Sequence, residues 1–194
     1  MIYIYGAGGH GKVVFHTFTS MGKTIAAFLD DKANRFLCGL PVIIPSEVQA
    51  SPASHIHFAI GNNRIRHDLQ TSWQQLGMIP ASAIHPLSIL YPSATIGHGC
   101  LLTAGSVIGP DAVIGSGCII NHNAVVEHDT HIGDFCHIAQ SAIISGGVNL
   151  GTQCFVGAGS VILPYLTIGK HVTIAAGVTV PHNLPDYSTF PPRM

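Results

Sequence analysis

Residues 95–120, TIGHGCLLTAGSVIGPDAVIGSGCII, decide the fold, because within them Ile96, Leu102, Ile108, Ile114 and Ile120 stand six apart. The series runs back to Leu90 and forward through Val126, Ile132, Ile138, Ile144, Leu150, Val156, Ile162, Ile168 and Ile174 to Val180 without a gap. A helix repeats near 3.6 residues and a simple strand near two, whereas a sustained hexapeptide period marks a parallel β-helix. Two residues before each aliphatic position sits a small or modest side chain such as Ala94, Cys100, Ser106, Ala112, Cys118 or Ala124. Strand alternation points both inward, so each hexapeptide supplies one side of a prism and three make a coil. Cys100, Cys118, Cys136 and Cys154 are spaced by eighteen and therefore stack in one inward column, which reads as a ladder of small core residues rather than a metal or disulfide array; only Cys38 lies outside it.

Toward the N-terminus the period changes. Ile2–Tyr5 is a short apolar run that ends in GAGGHG, a helical stretch follows from about Lys12 to Met21, and TIAAFLDD from Thr24 reads as a second strand. A further strand, HIHFAIG at 55–61, precedes a helix in which Ile65, Leu69, Trp73 and Leu76 form the apolar stripe. The chain thus divides into a Rossmann-like α/β unit over 1–82 and an all-β solenoid of about five coils over 83–194.

Composition bounds the function. Of the 194 residues, 47% are hydrophobic and only 9% charged, with a net charge of −1, so disorder and a polyanion-binding surface for nucleic acid are both excluded. Between Leu69 and Gly169 the only charged residues are Asp111, Glu127, Asp129 and Asp134. That charge-poor stretch is interrupted every few positions by Gly, Pro, Ser or Asn, so membrane insertion is not expected. The opening MIYIYGAGGHGK lacks the features of a signal peptide, and a cytoplasmic location is the expectation.

Gly6, Gly8 and Gly11 satisfy G-x-G-x-x-G between a strand and a helix, with Asp30 ending the next strand. The physics is that of pyrophosphate on a helix N-terminus with an acid on a ribose hydroxyl. A full dinucleotide fold needs two such halves, and about 80 residues supply one, which suits a single nucleoside diphosphate. Asn62 and Arg66 read as a cap and a solvated charge.

The repeats IGHGCL, IGPDAV, IGSGCI and IGDFCH resemble those of the hexapeptide-repeat acyltransferases. The set GAGGHGKVV (6–14), FLDD (28–31), AIGNNRIR (59–66) and NAVVEHDTHIGDFCHIA (123–139) more narrowly resembles the sugar acetyltransferases of the PglD/NeuD type. That resemblance implies a left-handed β-helix, a homotrimer with active sites between subunits, and acetyl transfer from acetyl-CoA to a nucleotide-activated sugar with no metal. It implies that Gly8, Gly9 and His10 approach the pyrophosphate or sugar, Asp30 and Asp31 the nucleoside, and Gly61 the base or ribose. His137, Ala158 and Ala176 are implied to contact acetyl-CoA, and a backbone N–H near Gly146 to stabilise the oxyanion. The C-terminal FPPRM departs from the Pro-Ala-Lys or Pro-Ala-Arg ending of the family at Pro192, with Arg193 left to meet the CoA phosphates, and Gln140 is a second departure.

Glu127, Asp129 and Asp134 gather around His128 in an otherwise ion-poor stretch. Histidine, with an ordinary pKa of about 6.5, suits a general base, and an adjacent carboxylate orients it and raises its basicity. The resemblance gives that role to His128, with Asp129 as its partner. For His122 and His131 a polar surface position is the plainer reading.

The implied reaction is N-acetylation of the 4-amino group of a UDP-linked amino-dideoxy sugar of the bacillosamine type, by direct attack on the thioester. O-acetylation of a sialic or related acidic sugar and N-acetylation of GDP-perosamine are the alternatives. A γ-carbonic-anhydrase site would resemble H-x-x-x-x-H plus a third histidine, and no two of the 13 histidines stand five apart. A non-catalytic scaffold would not require a glycine loop, an acid-ended strand and a histidine–carboxylate cluster together.

Overall fold

The structure, a computed structural model, describes residues 1–33, 35–48 and 54–191. The chain opens with β1 (Ile2–Tyr5), α1 (Gly9–Ser20), β2 (Ile25–Leu29), β3 (Arg35–Leu37), β4 (Leu40–Ile43), β5 (His55–Phe58), α2 (Asn63–Gln75) and β6 (Ile79–Pro80). These strands form one six-stranded sheet in the order β3-β4-β2-β1-β5-β6, parallel except for the β3–β4 pair. The βαβ opening is as the sequence indicates, while the β3–β4 hairpin is an addition to that reading.

From Ala83 onward two-residue strands stack into three parallel sheets of seven, six and five strands, one per face of the prism. The first face carries Ala83–Ile84, Leu101–Leu102, Ile119–Ile120, His137–Ile138 and their successors; the second carries Val107–Ile108, Val125–Val126 and Ile143–Ile144; the third carries Val113–Ile114, His131–Ile132 and Asn149–Leu150. Partners are eighteen residues apart, as in Leu102↔Ile120 and Val126↔Ile144, until the last strand, where Thr173↔Thr189 and Ile174↔Phe190 are sixteen apart. The five strands of the thinnest face correspond to five complete coils, and an isolated bridge from Ile168 to Leu184 extends it.

The hexapeptide aliphatics from Leu102 to Val180 are buried, each worth about 1.5–3 kcal/mol of apolar transfer. Leu90 is 39% exposed because it belongs to the first coil, which has no coil beneath it. The four cysteines are buried and unpaired, and their thiols donate to the carbonyls of Gly115, Gly133, Gly151 and Gly169 at 3.0–3.2 Å. Every sixth residue from Gly99 to Gly177 has a φ between 56° and 75°. One left-handed residue per corner turns the chain, which accounts for the recurring Gly, Asn and Asp.

The α/β unit is docked on the first face. One core joins Ile4, Val14, Phe18 and Phe28 to Ala83, Leu101 and Ile119 of the solenoid, so α1 lies across the lower coils. The second helix departs from its expected amphipathicity. Its buried residues are Arg66, Gln70 and Trp73, whereas Ile65 is 51% and Leu76 62% exposed. Arg66 is therefore no solvated charge. Its guanidinium donates to the carbonyls of Gly117 (2.7 Å), Phe135 (3.0 Å), Cys136 (3.3 Å), Ile60 (2.8 Å) and Gly61 (3.3 Å), and to Asn63 Oδ1 (2.9 Å). Asn63 reaches on to the carbonyls of Gln153 and Cys154. Asn62 caps α2 as expected, accepting from the Ile65 N–H.

Candidate active site

Two clusters of polar side chains emerge, on different corners of the prism. The first lies between the second and third faces, in the turn that joins Val126 to His131. There His128 and Asp129 are neighbours in sequence, and Asp129 sits at φ 57°, a left-handed value that aspartate tolerates. This turn brings Asp129 Oδ2 to 2.7 Å from His128 Nδ1. A carboxylate accepts only, so Nδ1 carries the proton and Nε2 presents a bare lone pair. The bond to Asp129, then the negative charge of Asp129 and Glu127, raises the His128 pKa above its ordinary value.

Gly146 lies one coil above. A Cβ there would come within 2.6 Å of His128 Nε2, so the imidazole occupies the space that the absent side chain leaves. Among the described residues the Gly146 N–H has no hydrogen-bond partner, so a basic nitrogen and a free backbone donor stand together. Asp134 is not part of this cluster. It lies at the next corner, where its Oδ1 accepts from the Ser116 N–H at 2.7 Å and holds the turn. His131 is exposed on the third face, and His122 belongs to the other corner.

The second cluster forms where the α/β unit meets the first face. His137 Nδ1 faces the Gly61 carbonyl at 3.4 Å, its Nε2 lies 3.3 Å from Asn121 Nδ2, and its ring stacks on His10 with centroids 6.4 Å apart. Burial, then the charge of Arg66, lowers both His10 and His137 to about 4, so both are neutral near pH 7. Ala158 and Ala176 follow one another up the corner between the first and second faces, where the Gly177 N–H donates to the Ala158 carbonyl.

The glycines of the loop divide by purpose. A Cβ on Gly11 would meet the Gly6 carbonyl at 2.2 Å, and one on Gly6, at φ 107°, would meet the Ala59 carbonyl at 2.8 Å, so packing requires both. Gly8, Gly9 and Gly61 have open space at that position, and the first turn of α1 starts at Gly9 with its N–H groups unspent. Asp30 braces the loop by accepting from the Ala7 N–H (2.9 Å) and the Lys32 N–H (3.0 Å). Burial pushes its pKa up, but those two bonds and the charges of Arg35 and Lys32 hold it below the usual value. Asp31 is exposed and lines, with Tyr5, Gly6, Asp30, Ile60, Ile65 and Leu69, a cavity of about 290 Å³ at the mouth of the sheet.

Of the sequence-selected residues, His10, Gly61 and His137 meet at the junction with Gly8 and Gly9 in the loop beside it, Asp30 and Asp31 line the cavity within the α/β unit, His128, Asp129 and Gly146 share the corner between the second and third faces, and Ala158 and Ala176 stand apart at the corner between the first and second. Asn121 and Arg66 are additions that the sequence hid, since both are polar residues that only docking buries. Pro192 and Arg193 lie outside the described residues. Among the described residues no group of three or more His, Cys, Asp or Glu could hold a metal ion, and no helix is long and apolar enough to cross a membrane.

Residues 1–72 match the family model of the PglD N-terminal domain, and residues 84–184 that of the GMPPB C-terminal domain. A UDP-N-acetylbacillosamine N-acetyltransferase of Bacillus subtilis is 36% identical over 113 residues, 53% of this chain, and the match spans about half of that relative's length (51%). Among solved structures, a variant of GDP-perosamine N-acetyltransferase from Caulobacter crescentus, in complex with CoA and GDP-perosamine, is 35% identical with a TM-score of 0.93, covering 97% of this chain and 91% of that one. The acetyltransferase domain of PglB from Neisseria gonorrhoeae, in complex with acetyl coenzyme A, is 35% identical with a TM-score of 0.92 over 97% and 94% of the two chains.

Proposed function

For a chain that belongs to the PglD-type sugar acetyltransferase family, we propose transfer of the acetyl group of acetyl-CoA to the 4-amino group of a UDP-linked amino-dideoxy sugar. The observation that carries the reading is the His128–Asp129 pair, with Nε2 bare beside the Gly146 N–H. The acceptor amine attacks the thioester carbonyl carbon as Nε2 takes its proton, while the Gly146 N–H receives the developing oxyanion. Collapse expels the CoA sulfur, which takes the proton back from the imidazolium. The nucleoside occupies the cavity lined by Asp30 and Asp31, the diphosphate lies across Gly8 and Gly9, and Gly61 borders the base or ribose.

The corners imply that the site is shared. His128 sits between the second and third faces, whereas Ala158 and Ala176 sit between the first and second, a full face away. A face of six residues spans up to about 20 Å, too far for proton transfer within one chain. In this reading a neighbouring copy brings its His128 to the side of the prism where His137, Ala158 and Ala176 would hold acetyl-CoA, and three such head-to-tail contacts around a three-sided prism would close as a trimer. The cytoplasmic pool of acetyl-CoA is its setting.

A GDP-linked 4-amino sugar is the second reading, favoured by the similarity to structures that hold GDP-perosamine. The test measures CoA release against UDP- and GDP-linked 4-amino sugars and identifies the product mass. Turnover with one of these, abolished in His128→Ala and restored when that variant is mixed with His137→Ala, supports the proposal. Undiminished turnover by His128→Ala alone, or a monomer that is fully active, overturns it.

A further inference from the structure

A second cavity adjoins this site, and none of the roles assigned above uses it. It measures about 270 Å³ and is lined by Lys12, Val13, His16 and Thr17 of α1 and by His85, Ala104 and His122 at the corner between the first and second faces. Four of its seven lining residues, Lys12, His16, His85 and His122, are basic, and none is acidic. That one-sidedness is meaningful in a chain with nine carboxylate residues and eight lysines and arginines, because in a mixed surface a cation normally has an acid nearby. Lys12 makes no ion pair among the described residues.

The hydrogen bonds settle how the histidines present themselves. His85 Nδ1 accepts from the Leu87 N–H at 3.1 Å, so the ring proton of the neutral form is on Nε2, which remains a donor. His122 Nδ1 lies 3.0 Å from Asn121 Oδ1, an oxygen that also accepts from the His122 N–H, so this ring is held in one orientation. Asn121 is the residue whose amide meets His137, and Lys12 stands two residues beyond His10 on α1. The cavity therefore begins one residue from the junction cluster on the solenoid wall, at His122, and two residues from it on the helix wall, at Lys12.

We propose that this cavity binds a negatively charged oxygen group, a carboxylate or phosphoryl, with Lys12 and His85 Nε2 as the principal donors. Resting on the transferase reading, we take that group to be carried by the acceptor, whose sugar end would lie against His10 and Asn121. A charge-assisted hydrogen bond from Lys12 fixes the sugar face presented to the thioester and gives the enzyme a means of selecting acceptors by an anionic substituent.

The test uses the full-length protein and two probes, inorganic phosphate and glucuronate, titrated while the ring Cε1–H signals of His85 and His122 are followed by NMR. Saturable shifts of both signals are expected, with binding about tenfold weaker in Lys12→Gln and lost in Lys12→Gln/His85→Gln. Lys12 is exposed, so its replacement leaves the fold in place, and unchanged shifts of buried His57 serve as the check. Competition then separates the sources. Displacement of phosphate by UDP alone assigns the site to the diphosphate, and displacement by an acidic sugar but not by UDP assigns it to a sugar carboxylate. Absence of shifts, or shifts that persist in the double variant, overturns the site. The acyl-transfer reading fails separately, by absence of CoA release from a protein that still shows the shifts.

Discussion

Replacing Gly146 by alanine isolates the geometry of the proposed base from every other property of the protein. The added methyl would lie 2.6 Å from His128 Nε2, while ordinary contact begins near 3.4 Å, so the ring must retreat by about 0.8 Å. It can do so by rotating away from Asp129, which breaks the 2.7 Å bond, or by shifting the whole turn. Either movement displaces the reacting nitrogen by nearly 1 Å, a misplacement that costs on the order of a hundredfold in rate. Gly146 does not use a left-handed φ, so alanine brings no backbone strain, and the N–H proposed to meet the oxyanion is retained. We expect kcat to fall by about a hundredfold with KM for acetyl-CoA within about twofold and the melting temperature within about 2 °C of the wild type. Continuous detection of CoA thiol gives the kinetics, and calorimetry gives the stability. A variant whose kcat stays within about threefold of the wild type would refute the assignment of His128 Nε2 as the proton acceptor.

Three further expectations follow from the same geometry. In Asp129→Asn the hydrogen bond, then the charge, that raises His128 is weakened, so the acid limb of the kcat/KM profile moves to lower pH and its plateau drops; an unmoved limb excludes His128 as the titrating base. Arg66→Met leaves the carbonyls of Gly117, Phe135 and Ile60 without their donor, a loss of about 3–5 kcal/mol that denaturant unfolding at fixed protein concentration should register, with Arg66→Lys intermediate; a loss below about 0.5 kcal/mol would contradict the bridging role. Burial lowers His57 from 6.5 to about 4, so between those values the unfolded chain binds more protons and stability falls as pH falls, by roughly 3 kcal/mol from His57 at the lower end; His10 and His137 act in the same direction, and a stability that is level between pH 7 and 5 would rule this out.

The solenoid was legible because its period is a one-dimensional property. Each inward position repeats the same burial, so the residues from Leu102 to Val180 announce their environment without reference to distant parts of the chain. The corner residues were half legible. Gly99, Asn123 and Asp129 advertise a left-handed turn, but Phe135, Gln153 and Tyr165 adopt the same φ because the stacked backbone bonds on either side impose it. The β3–β4 hairpin was missed since Cys38, not Asn or Asp, precedes Gly39 at its tight turn, although both have positive φ. The stripe of Ile65, Leu69, Trp73 and Leu76 correctly marked a helix and misplaced its buried face. The surface that α2 meets is a row of corner carbonyls, which Arg66 and Asn63 satisfy and an aliphatic side chain would leave unpaired. His128 and Asp129 are adjacent in sequence and could be found there, whereas the meeting of His10, Gly61 and His137 exists only after docking.

That docking also sets the electrostatics of the junction. Arg66 is 1% exposed and neutralised by no carboxylate among its partners, yet burial lowers its pKa only to about 10, so it stays charged at neutral pH. Carbonyl dipoles solvate the ion but do not cancel its field, and the depressed His10 and His137 register that field from the same side. These histidines consequently add no charge of their own, and the junction carries one fixed positive centre beside the open backbone of Gly8 and Gly9. Glu127 and Asp129 stand a full prism face away, exposed beside His128. An assembly that seats the His128 corner of one copy against the junction of the next brings opposite fields together, while one that pairs junction with junction does not. Charge thus favours the head-to-tail contact that the proposed shared site would use.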